Sequence, residues 1–103
     1  MEELKKYYDA KISELDALHK AWVKSNWNLN GLYEAKTQIH DVGDIKIAFA
    51  AEALEKATKE EKSRNDDLTY RVNALSGFLR DMERYIKDTF GEELNGVELV
   101  RGY

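Results

Sequence analysis

The sequence predicts an all-α protein of long antiparallel helices, a helical hairpin or bundle with coiled-coil-like packing. Three observations predict it. Apolar side chains recur at steps of three and four over two long stretches, residues 4–23 and 68–90. The 103 residues include no proline and only six glycines, too few breakers for a loop-rich or all-β chain. The clearest turn signal, Asp41-Val42-Gly43-Asp44, falls near the middle of the chain.

In the first helix, Leu4, Tyr8, Ile12, Leu15, Leu18 and Trp22 share one face, with His19 and Val23 beside it. Most of the lysines fall elsewhere and solvate the outside. Ser25-Asn26-Trp27-Asn28-Leu29-Asn30-Gly31 weakens the pattern, because Asn and Ser compete for backbone hydrogen bonds and Gly costs about 1 kcal/mol against Ala in a helix. A kink or short loop there, with Asn30 as a cap, is one expectation. Leu32, Tyr33, Ala35 and Ile39 then resume the stripe.

At the turn, Gly43 supplies a positive φ and Asp44 caps the next helix. That helix opens with Ile45, Ile47, Phe49 and Leu54 among alanines, and Glu52/Lys56 and Glu55/Lys59 stand at i, i+4. Residues 58–67 carry no apolar side chain. Beyond them, Leu68, Val72, Leu75, Phe78/Leu79, Met82, Tyr85/Ile86 and Phe90 form the strongest amphipathic run, and Gly91 ends it. Residues 1–91 are therefore expected as the helical domain. Residues 92–103 are expected as a short extended or flexible tail, since Val97, Leu99 and Val100 are β-prone.

Two architectures compete: one hairpin of two long helices, or four shorter helices broken near 25–31 and 63–67. A hairpin turning near residue 42 places residue i opposite roughly 85 − i. Leu18, Trp22, Val23 and Trp27 then face the wholly polar stretch 58–67. Each buried Trp removes about 150–250 Å² from water, so an isolated hairpin forfeits several kcal/mol at two indoles. Long helices that self-associate are the favoured expectation.

The net charge is −4, divided as −1 over residues 1–51 and −3 over 52–103. Neither half is a basic nucleic-acid surface. Zero cysteine excludes a disulfide framework and thiolate chemistry. No apolar run approaches the ~20 residues that span a bilayer, and the N-terminus lacks the apolar core of a secretory signal. No membrane contact and a cytoplasmic location, in a bacterial or phage-infected cell, are expected.

No catalytic constellation is visible. His19 and His40 lie about 31 Å apart if residues 3–40 form one helix; His19 reads as a partly buried core histidine and His40 as a cation suited to a helix C-terminus. Asp41 and Asp44 are too few for a calcium loop. Glu60-Glu61 and Asp66-Asp67 read as a solvated face. No phosphate loop, nucleophile elbow or zinc motif occurs. No enzyme activity, cofactor, metal or small-molecule substrate is expected.

The aromatic residues carry the functional reading, because Tyr and Trp are enriched at interface hot spots. The interface candidates are Tyr8, Trp22, Trp27, Tyr33, Phe78, Met82 and Tyr85. A weaker candidate is a nucleic-acid face of Arg80, Arg84 and Lys87, extended by Arg71.

The layout is also similar to that of the WXG family of small exported helical hairpins. About one hundred residues, no cysteine and a glycine turn at Asp41-Val42-Gly43 carry the resemblance. The nearest tryptophan-to-glycine spacing is Trp27-Asn28-Leu29-Asn30-Gly31, and Thr89 stands four residues after Tyr85 where that family has an acidic residue. What the resemblance implies is an exported structural hairpin. The leading expectation from the residues themselves is a small acidic helical protein acting through protein–protein contact. Inhibitor, adaptor, assembly chaperone or self-assembling subunit are the roles in view, in a phage-like small protein with itself as the expected partner.

Overall fold

A computed structural model describes residues 1–39 and 45–102, with residues 45–47 described by backbone alone. Three helices follow in order: α1 (Glu2–Thr37), α2 (Ile45–Phe90) and α3 (Gly96–Arg101). No strand occurs among the described residues. Long helices in an antiparallel hairpin are thus the observed architecture.

Neither weak stretch interrupts a helix. Ser25 to Gly31 lies within the 36 residues of α1, and residues 58–67 lie within the 46 residues of α2. Lys, Glu and Arg propagate a helix well, and Thr58 and Thr69 return their hydroxyls to the carbonyls of Leu54 and Asn65 one turn back. The expected turn Asp41-Val42-Gly43-Asp44, the Asp44 cap and the His40 terminus lie outside the described residues.

The register differs from the expectation. Tyr8 meets Glu83, Trp22 meets Thr69, Asn26 meets Asn65 and Lys36 meets Glu55, so residue i lies opposite roughly 91 − i. Trp22 therefore escapes the polar stretch and packs partly against the core.

Among the described residues, the buried apolar core occupies one half of the hairpin. Leu15, Val72, Leu79 and Ile86 are completely or almost completely buried, with Tyr8 and Val97 beside them. In the half nearer the turn, the buried residues among those described are Ser25, Thr58 and Glu61. There Asn65 Nδ2 donates to Ser25 Oγ and Asn26 Oδ1, a polar layer in place of an apolar one. Glu61 was expected on a solvated face; it is 6% exposed and pairs with Arg64 at 3.3 Å, because the register turns it toward α1. The radius of gyration is 20.0 Å and the extents are 67 × 20 × 15 Å, against about 13 Å for a compact domain of this length.

The tail corrects the sequence expectation. It is not extended beyond a short connection: Gly91 takes φ +72° and stops α2, residues 92–95 cross over, and 96–101 form α3. Burial of Val97 against the hairpin outweighs its β-propensity. Gly96 is required by close approach, since a Cβ there would stand 2.6 Å from Tyr8 Oη and 2.7 Å from Ile12 Cδ1.

Candidate functional site

The hairpin has two unlike sides. α3 covers one. Tyr8 Oη donates to Glu83 Oε2 at 2.6 Å and accepts from the Gly96 amide at 3.0 Å, while the Val97 amide donates to the same Glu83 oxygen. Arg101 donates to Asn73 Oδ1 and Ser76 Oγ, and its guanidinium lies 5.9 Å from the Trp22 ring centre. The Trp22 indole donates to Thr69 Oγ1, and His19 lies tilted against the ring. Burial, followed by the hydrogen bond to Glu83, raises the Tyr8 phenol well above its ordinary pKa.

The other side stays open. Phe78 follows Ser76 by two residues and Tyr85 follows Glu83 by two, which turns each about 200° away from α3. A shallow groove runs along this side. At the core end it is lined by Leu4, Phe78, Asp81, Met82 and Tyr85. It continues past Leu18, Leu75, Tyr70 and Arg71, and reaches Trp27, Leu32, Ala57 and Arg64 nearer the turn. Tyr70 and Trp27 are each 74% exposed. Tyr7 meets Phe78 edge-on, and Tyr85 meets Phe90 in the same way.

The interface candidates therefore divide. Tyr8 is 3% exposed and is spent within the chain, so it leaves the set. Trp22 is half-buried and bonded internally. Trp27, Phe78, Met82 and Tyr85 line the open groove, and Tyr33 is 42% exposed near the turn end. The residues missed from sequence are Tyr70, Leu4 and Leu18, which complete the groove.

The four basic candidates do not form one stripe. Arg71 lies in the open groove and pairs with Asp67. Arg84 and Lys87 line a separate cleft beside α3 with Glu83 and Glu93, where Lys87 pairs with Glu93 at 3.1 Å. Among the described residues, no group of three or more His, Asp or Glu is placed to hold a metal ion, and no helix is long and apolar enough to cross a membrane. The sequence matches no family model, no curated protein and no solved structure at a significant level.

Proposed function

We propose that this chain is a non-enzymatic helical module that works by protein–protein contact along its open aromatic groove. The observation that carries the reading is Trp27, an indole left 74% exposed in a groove that also presents Tyr70, Phe78 and Tyr85. Aromatic side chains gathered on one exposed side mark interaction surfaces. Among the described residues of the half nearer the turn, the buried side chains are polar, which points the same way, since a covering surface supplies apolar contact. An adaptor, inhibitor, assembly chaperone or subunit is the class of role this chemistry fits.

Affinity capture with the wild-type chain and with Phe78→Asp, run side by side and read by mass spectrometry, tests it. The reading expects a defined set of captured proteins, the chain itself included, that the substitution removes. An identical set for both baits refutes it, provided circular dichroism shows both folded.

A further inference from the structure

Along α2, residues seven apart stack on one stripe of a packed helix. Arg64, Arg71, Phe78 and Tyr85 form one such stripe, and Asp67, Ala74, Asp81 and Asp88 form the next. Arg64, Arg71, Ala74, Phe78, Asp81 and Tyr85 line the open groove, and all eight residues are exposed. Together they make one exposed strip of α2, with Ala74, Phe78 and Tyr85 among charged residues, on the side that α3 leaves uncovered. Its charge is uneven: Arg64 and Arg71 outnumber Asp67 toward the turn, and Asp81 and Asp88 stand toward the core end.

We infer that this strip is the contact with a second copy of the chain, α2 packing antiparallel on α2 about a two-fold axis level with Ser76. The inference rests on the interaction reading above and names its partner. In an antiparallel pair the two stripes face one another. A two-fold axis level with Ser76 sets Arg71 opposite the partner's Asp81 and Arg64 opposite the partner's Asp88. It also sets Phe78 over the partner's Ala74, large against small, and Tyr85 opposite the partner's Asp67, a carboxylate that can accept from the phenol. By symmetry each contact occurs twice, as an isologous interface requires.

Other arrangements are worse. A parallel pair in register puts arginine on arginine and aspartate on aspartate. Sliding the antiparallel pair by one heptad either way puts Phe78 opposite the partner's Asp67 or Asp81. The charges thus select register and direction. Arg71 already holds Asp67 at 3.0 Å and Arg64 holds Glu61 at 3.3 Å; a guanidinium has five donors and can take a second carboxylate.

An independent feature falls into place. Trp27 shares its part of the groove with Arg64. The register that aligns Arg64 with the partner's Asp88 brings Trp27 to the axial level of the partner's Leu4 and Tyr85. Those two residues line the apolar end of the groove, so each Trp27 comes level with the apolar end of the other copy.

Sedimentation equilibrium with charge swaps tests the proposal. The wild-type chain sediments as a dimer at high micromolar concentration. Arg71→Asp alone and Asp81→Arg alone each set like charges together twice, and each weakens dimerisation on the order of tenfold or more. The double variant R71D/D81R restores the opposite charges and regains dimerisation to within a few-fold of wild type. Circular dichroism confirms that all are folded, as expected for exposed positions. A wild-type chain that stays monomeric overturns the proposal, and so does a dimer indifferent to the single swaps. In either case the capture experiment decides separately whether the groove binds another protein.

Discussion

Replacing Tyr8 by Phe removes one oxygen atom from the junction of all three helices. That oxygen donates to Glu83 Oε2 at 2.6 Å and accepts from the Gly96 amide at 3.0 Å. Glu83 keeps the Val97 amide at 3.2 Å, so the carboxylate is not stripped of partners. The ring stays in place and its packing is unchanged. What is lost is a hydrogen bond to a charged group, about 1.5–3 kcal/mol, together with an acceptor for one amide. A net loss of about 2 kcal/mol is expected. For a domain of this size it lowers Tm by about 8 °C or more. Urea unfolding followed by circular dichroism reads it as a lower midpoint at unchanged slope. A Tyr8→Phe chain within about 0.5 kcal/mol of wild type refutes the claim that this hydroxyl pins α3 to the hairpin, since that is the scatter of neutral surface changes.

The same phenol gives the protein an alkaline limit. Burial first, and then Glu83, hold its pKa above that of the unfolded chain, so its contribution is complete below about pH 10 and is lost as pH rises beyond that; unfolding midpoints across pH 8–11 should fall more steeply for wild type than for Tyr8→Phe. Gly96→Ala forces a methyl group to within 2.6 Å of Tyr8 Oη, and should cost about 1–3 kcal/mol in thermal unfolding by pushing α3 off its seat; an unchanged midpoint would show that α3 is loosely docked. Hydrogen exchange should divide the hairpin: amides of residues 28–36 and 50–60, in the half whose described buried residues are polar, exchange faster than those of 10–20 and 72–86. Uniform protection along both helices contradicts the uneven core.

The hairpin was legible because its signal is local. Leu4, Tyr8, Ile12 and Leu15 on one helix, and Val72, Leu79 and Ile86 on the other, state their faces by spacing alone, and Gly91 marks its stop by the positive φ it takes. The register was not legible, because it depends on how the chain crosses between α1 and α2, and a shift of six residues moves Trp22 from a polar stretch to Thr69. The tail was misread because propensity is a weak prior and Val97 has a buried seat. Tyr8 was misassigned for the same reason, since its partner Gly96 lies 88 residues away. Spacing sets Arg80, Arg84 and Lys87 on one helix face, and Arg71 was expected to extend it. Heptad spacing instead sets Arg71 with Phe78 and Tyr85, and it was this spacing that held the information about the open side.

Trp27 reports most directly on whether the open groove is a surface to be covered. In a Trp22→Phe chain it is the sole indole, and its emission and its quenching by acrylamide can be followed while protein concentration is raised and mass is measured in parallel. The account predicts water-like emission in dilute solution, and a shift to shorter wavelength with weaker quenching over the range where the mass doubles. An indole equally accessible at every concentration, in a chain whose mass never changes, would contradict it.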